Sequence, residues 1–318
     1  MSIQIAFLFP GQGSQTVGMG RELSERFPLA AQTFAEADEA LGFSLSSLCF
    51  NGPVESLRLT ENTQPAILAV SVAAWRVLAA HGIEPQLAAG HSLGEWSAHV
   101  AAGTLGFADA LRAAKARGKA MQEAVPEGEG GMAAILSLTA EQVVEACRQA
   151  AAETGLTVQA ANLNSAGQTV ISGVLAAVER ASVLCKEKGA RRALMLHVSA
   201  PFHCSLMQPA QDEVERVLHG LTLSEPRIPV AANVTGGLVT SADAARDALI
   251  RQVTGAVRWV DCMTSVAGAG ANLFIEVGPG KALRGLLKQI DPTLKSLNVE
   301  NIASFEETLA AVEAARNA

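Results

Sequence analysis

A serine set between two glycines, in Gly90-His91-Ser92-Leu93-Gly94, is the first feature of this chain whose residue types could do chemistry. A serine hydroxyl is a poor nucleophile at neutral pH. It needs a neighbouring base to take its proton and N–H donors for the oxyanion that forms on the attacked carbonyl. Gly-x-Ser-x-Gly marks the sharp strand-to-helix turn that exposes such a hydroxyl, with small residues that let strand and helix cross closely. The same string also fits an ordinary small-residue turn. The flanks favour the elbow: QLAAG before it reads as a short strand, and SLGEWSAHVAAGTL after it has helical spacing.

Six histidines could supply the base. His91 adjoins Ser92, so its side chain projects elsewhere. His81 sits at a helix end, His99 on the helix behind the elbow, and His219 before a glycine turn. His197 falls within a predicted strand. His203, in SAPFHCS, lies on an irregular loop, and loops on rigid scaffolds carry function disproportionately. It is the base the sequence favours. Arg117 is one of four cations, with Arg112, Lys115 and Lys119, on an amphipathic helix over 108–125. On the residues alone, a solvated face accounts for all four.

These residues must be positioned by an α/β framework. IQIAFLFP reads as a buried parallel strand that runs into the turn-forming GQGSQ. One helix is expected over 20–40 and another, largely buried, over 63–82. PEGEGG then breaks the pattern. Beyond it, the order is strand (MAAILSL), helix (TAEQVVEACRQAAAETG), strands (TVQAANLN, TVISG), helix (VLAAVERASVLCKEKG) and strand (RRALMLHV). That order is a ferredoxin-like split unit. It predicts a small subdomain over 127–199, inserted between 1–126 and 200–318 of a larger domain with a parallel sheet. The large domain resumes with helices and the strands IPVAAN and LFIEVG.

Composition narrows the function classes. Hydrophobic residues make up 49% and charged residues 17%, so the chain can bury a sizeable core and is not a disordered one. Tyrosine is absent and the net charge is -7, which argues against a nucleic-acid partner. The five cysteines are odd in number and show neither metal-ligand nor redox spacing. The N-terminus lacks the basic start of a signal peptide, and no segment sustains the ~20 apolar residues of a membrane span. A cytoplasmic protein with no metal, no cofactor and no membrane partner is expected, as a monomer.

Eight segments occur in this order: FPGQGSQ, TQPA, GHSLGE, ARGKAMQ, AANLNSAGQTVISG, the His203 loop, RQVTGAVRW and EVGPGKAL. Together they resemble the malonyl-CoA:acyl-carrier-protein transacylase family of bacterial fatty-acid synthesis, which includes free-standing acyltransferases of polyketide synthases. The resemblance covers essentially the whole chain and implies an α/β-hydrolase-like core with an inserted ferredoxin-like subdomain. It implies a Ser92–His203 dyad without a carboxylate, the histidine oriented by a backbone carbonyl near Gln252. It implies an oxyanion hole from the N–H groups of Gln12 and Leu93. Arg117 would hold the free carboxylate that distinguishes malonyl from acetyl, a task suited to a guanidinium fork. Asn162, Asn164 and Gln168 would support the cleft, although turn chemistry explains them equally well; Gln64 would approach the site, with a buried polar helix cap an equal reading.

The resemblance further implies malonyl-CoA as donor and an acyl carrier protein as partner. Lys186, Lys188, Arg191 and Arg192 would steer that acidic partner, although a solvated face explains them equally well. Two residues depart from the commonest bacterial pattern: Trp96 stands where tyrosine is usual, and Phe202 precedes His203 where serine is frequent. A Phe-His pair accompanies malonyl in polyketide acyltransferases, which keeps a polyketide pathway open. A serine acyl hydrolase is the rival activity, and a non-catalytic carrier binder the rival class.

Overall fold

The computed structural model describes residues 3–196 and 198–317; His197 therefore lies outside the described residues. Strands β1 (Ile5–Phe9) and β2 (Leu87–Gly90) pair in parallel at the centre of a large sheet. Strands β3 (Gly130–Leu136), β4 (Val158–Ser165), β5 (Gln168–Val174) and β6 (Arg192–Met195) form a separate small sheet. Strands β7 (Val230–Ala231), β8 (Leu238–Val239), β9 (Leu273–Val277) and β10 (Lys295–Val299) complete the large one.

The large sheet runs β10-β9-β1-β2-β7-β8, parallel except for the terminal β7–β8 hairpin. All five residues of β1 are buried because helices cover both faces. Alternation along the strand sends Ile5, Phe7 and Phe9 into one core and Ala6 and Leu8 into the other. The first core is built around the helix Thr60–Ala80. Contrary to the sequence expectation, that helix is long and apolar enough to cross a membrane, but 78% of its apolar window is buried inside the protein, as in a core helix. All five cysteines are buried and unpaired.

The small sheet runs β4-β5-β3-β6 and is antiparallel throughout, the ferredoxin-like order. Ala133, Ile135 and Ile171 pack on its helices Ala140–Thr154 and Leu175–Glu187. The alternate residues Met132, Ala134 and Val170 face the other way and join the main core. This small sheet thus supplies one wall of the cleft above the large one.

Three expected elements differ. The helix over 20–40 is two helices, Arg21–Arg26 and Pro28–Leu41, with Phe27 extended between them. Proline disfavours helical geometry at the residue before it and has no N–H to donate. The strand IPVAAN keeps only Val230–Ala231, because the N–H of Asn233 leaves the ladder for the Glu95 carboxylate. Within RRALMLHV the described strand is Arg192–Met195, with Arg191 and Leu196 each adding a backbone bond to β3. Strands β8 and β10 have no counterpart in the sequence reading; one is two residues long, and KSLNV carries little strand signal.

Candidate active site

The loops after β1 and β2 lie side by side at the carboxyl ends of adjacent parallel strands, where open α/β sheets place their ligands. Strand β2 ends at Gly90 and the helix Leu93–Ala101 begins two residues after His91, leaving Ser92 on the corner at φ 52° and ψ −108°. A Cβ on Gly90 would lie 1.9 Å from the Gly94 backbone, and one on Gly94 would lie 2.0 Å from Phe9 O. Only glycine lets the three backbones cross there.

Ser92 Oγ lies 2.7 Å from His203 Nε2, and His203 Nδ1 lies 2.9 Å from the carbonyl oxygen of Gln252. A carbonyl oxygen can only accept, so Nδ1 carries the ring proton and Nε2 turns its lone pair to the serine hydroxyl. His203 is itself at φ 60° and buried. Its pKa is pushed down to about 3, first by burial and then by the Arg117 cation, with the bond to Gln252 opposing. The ring is therefore neutral at physiological pH and free to accept a proton.

Arg117 is buried rather than solvated. Its Nη1 donates to Gln64 Oε1 at 2.8 Å, and its Nη2 to Gln252 Oε1 at 3.0 Å and Ser92 Oγ at 3.2 Å. Burial lowers its pKa to about 10, with Glu95 opposing, so the guanidinium stays charged. The other three cations of its helix, Arg112, Lys115 and Lys119, pair with surface acids. A cavity of about 120 Å³ opens beside these groups, walled by Met121, Met132, Val198 and Phe202. Gln12 and Asn162 also reach it.

At the elbow, the N–H of Ser92 is taken by Asn233 Oδ1 at 2.7 Å, and those of Gly94 and Glu95 turn back to His91 O and Ser92 O. No acceptor among the described residues engages the N–H of Leu93 or Gln12.

The remaining histidines sit apart from the proton path. His91 Nε2 is 2.8 Å from Asn164 Oδ1 and its ring tilts against Trp259. His81 bonds Val77 O at its helix end, His99 is buried behind the elbow, and His219 lies near Glu215 on the surface. Gln168 lines a neighbouring cavity of about 430 Å³ with the Gln12 loop. Trp96 is fully buried on the elbow helix.

Lys186, Lys188, Arg191 and Arg192 are exposed on the small subdomain and outside the cavity. From Arg192 the chain runs along β6 through exposed Leu194 and Met195 to Leu196, which does line the cavity.

Two polar residues of the site escaped the sequence reading. Asn233 spans the elbow, accepting from Ser92 N–H and donating to Gly90 O at 2.7 Å. Glu95 is wholly buried and accepts from Asn233 N–H at 2.9 Å and Gln252 Nε2 at 2.6 Å. An acid in the otherwise small and apolar stretch SLGEWSAHVAA was the available signal for Glu95; nothing in IPVAANVTGG singles out Asn233.

Residues 6–308 match the acyl transferase domain family. The chain is 49% identical to the malonyl CoA-acyl carrier protein transacylase of Salmonella typhimurium, over 96% of this chain and 99% of that protein. An acyl carrier protein S-malonyltransferase structure from Vibrio cholerae superposes with a TM-score of 0.93 at 49% identity, covering 96% and 99% of the two chains. A malonyl-transacylase solved with its type II polyketide-synthase acyl-carrier protein gives 0.94 at 47% identity, covering 97% and 99%. With a family match along nearly its whole length and relatives this similar, the chain belongs to the malonyl CoA-acyl carrier protein transacylases of the acyl transferase family.

Proposed function

We propose that this chain transfers malonyl from malonyl-CoA to the phosphopantetheine thiol of an acyl carrier protein, through a malonyl ester on Ser92, for fatty-acid synthesis. The observation that carries the reading is a single hydroxyl, Ser92 Oγ, set 2.7 Å from a neutral imidazole and 3.2 Å from a buried guanidinium. The imidazole serves the nucleophile; the guanidinium selects the acyl group.

In the first half-reaction, His203 Nε2 takes the Ser92 proton as Oγ bonds to the thioester carbon. The carbonyl oxygen becomes an oxyanion held by the free N–H groups of Gln12 and Leu93. Collapse breaks the C–S bond, and the CoA sulfur leaves with the proton from His203. In the second half-reaction, His203 takes the carrier thiol's proton, the sulfur attacks the ester carbon, and Ser92 Oγ leaves with that proton. The Gln252 carbonyl keeps the ring in the required tautomer throughout.

Once Oγ is an ester it is a weaker acceptor, and Nη2, together with the spare hydrogen of Nη1 and with Nε, which has no partner among the described residues, is left to bind the malonyl carboxylate. A hydrolase for neutral acyl chains has no use for the fork.

Segments 1–126 and 200–318 are read as the catalytic domain and 127–199 as the inserted subdomain, a division supported by the two separate sheets. Lys186, Lys188, Arg191 and Arg192, at the head of the path along β6, are assigned to carrier contact. Ser92, His203, Arg117 and Gln252 together supply the nucleophile, base, guanidinium and tautomer anchor that both half-reactions use, and the protein is read as a cytoplasmic monomer.

Incubation with malonyl-CoA should add one malonyl to Ser92 by intact mass, and holo carrier protein should remove it as malonyl-carrier. A malonyl adduct on the Ser92→Ala protein would refute the mechanism. Free malonate in place of malonyl-carrier would establish the hydrolase. Supplying fatty-acid and polyketide carriers in parallel decides the pathway.

A further inference from the structure

The Gln252 carboxamide is the junction of the site, and its orientation decides what Arg117 meets. Its Nε2 lies 2.6 Å from Glu95 Oε2, 2.9 Å from Ser92 O and 3.4 Å from Asn233 Oδ1, while its Oε1 faces Arg117 Nη2 at 3.0 Å. Rotating the amide by a half-turn would aim its N–H groups at a guanidinium that can only donate. Of the three acceptors on the Nε2 side, Glu95 alone can carry a charge, and its contact is the shortest.

Glu95 is an expensive residue to place there. It is fully buried, and Oε1 has no hydrogen-bond partner among the described residues. Burial pushes its pKa up to about 7, with its bonds to Asn233 and Gln252 and the Arg117 cation opposing. A carboxylate at such cost needs a task beyond filling space. It does not touch the arginine directly: the Gln252 amide stands between them, accepting from one and donating to the other.

We propose that Glu95 is a positioning residue for acyl selectivity: by fixing the Gln252 carboxamide, it holds the Arg117 fork in the orientation that receives a carboxylate. The Gln252 backbone is anchored separately, its N–H donating to Ala248 O at 2.9 Å. Loss of Glu95 leaves the amide that steadies Arg117 on its two neutral acceptors, Ser92 O and Asn233 Oδ1, and strands the Asn233 N–H, while the carbonyl that holds His203 stays in place. Loss at the elbow is common to both acyl groups; loss at the fork falls on malonyl, because acetyl has no carboxylate for it.

This inference rests on the reading of Arg117 as the malonyl fork, and the experiment separates the two. Single-turnover acylation of Ser92 is measured with malonyl-CoA and acetyl-CoA for wild type, Glu95→Ala, Glu95→Asp and Glu95→Gln. Alanine and aspartate should lower the malonyl-over-acetyl preference by about 10- to 100-fold, the worth of one charged hydrogen bond. The loss should appear mainly as weaker saturation by malonyl-CoA, and acetyl rates should fall by much less than malonyl rates. Glutamine keeps an oxygen for both donors without the charge and should restore part of the preference, the share of a neutral hydrogen bond.

Aspartate withdraws the oxygen without opening the alanine cavity, so it carries the test if alanine does not fold. Equal loss for both acyl groups, or an unchanged preference in both shortened variants, overturns the proposal. A wild-type protein that takes no malonyl on Ser92 overturns the underlying function instead.

Discussion

Replacing Arg117 by alanine removes a cation whose Nη2 lies 3.2 Å from the Ser92 hydroxyl. The size of the effect follows from its burial. A malonyl carboxylate seated about 4 Å from the guanidinium gains about 4 kcal/mol at an effective dielectric of 20. That corresponds to about 10³-fold in malonyl acylation. Acetyl has no such partner. Its acylation should stay within about threefold or rise, because Arg117 no longer donates to Ser92 Oγ and no longer depresses His203 basicity.

The malonyl-over-acetyl preference should therefore collapse by about 10³-fold. Lysine at 117 keeps a charge but not a planar fork, and should fall between the two. The assay is single-turnover acylation of Ser92 with each CoA ester, followed by intact mass. If both acyl groups lose rate by the same factor, Arg117 supports the nucleophile rather than the carboxylate, and the selectivity argument fails.

Asn233→Ala should behave in the opposite way. It strands Ser92 N–H and Gly90 C=O at the strained corner, so stability should drop by about 2–4 kcal/mol. Urea unfolding reads that drop; malonyl and acetyl acylation should fall together, and a change in preference would contradict a role confined to the elbow. His99 bears on acid stability. Both ring nitrogens are buried without partners among the described residues, and burial pushes its pKa down to about 4. Its folded pKa lies below the unfolded value, so its contribution is complete above pH 6.5 and lost as pH falls toward 4. At pH 5 that loss is about 2 kcal/mol. His99→Leu should remove that much of the stability difference between pH 7.5 and pH 5 in urea titrations, and an unchanged difference would show the ring is not the group responsible.

Much of this site was legible because its parts leave local marks. Gly90 and Gly94 flag a backbone crossing that no side chain survives, and a Ser between them is exposed by the same geometry. His203 and Arg117 were harder. Each lies far from Ser92 in sequence, and only the co-linear family segments singled out Arg117 from four cations on one helix. The residues that hold the functional groups were not legible. Asn233 acts through its side-chain amide on peptide groups 141 and 143 positions away, and no periodicity encodes such a contact. Glu95 could be seen as an acid out of place, but its partners could not. The same limit shortened IPVAAN: a strand pattern cannot reveal that its next N–H is bound to a distant carboxylate.

The neutral group behind the dyad follows from the same electrostatics. An aspartate in place of the Gln252 carbonyl would make His203 a stronger base. It would also stand near Arg117 as a rival to the malonyl carboxylate, worth about 3 kcal/mol at roughly 6 Å and an effective dielectric of 20. The site instead keeps its buried acid, Glu95, behind the Gln252 amide, which donates to it and accepts from Arg117. In the proposed role of Arg117, a seated malonyl carboxylate would neutralise the second cause of the depressed His203 pKa, so the substrate itself would strengthen the base. Even so, a dyad without an acid remains a modest base. A thiol, with a pKa of about 8.5 in free cysteine, needs little help to become a nucleophile, whereas water at about 15.7 needs much more. Weak general-base catalysis therefore favours the thiol over water at the malonyl ester, and transfer over hydrolysis.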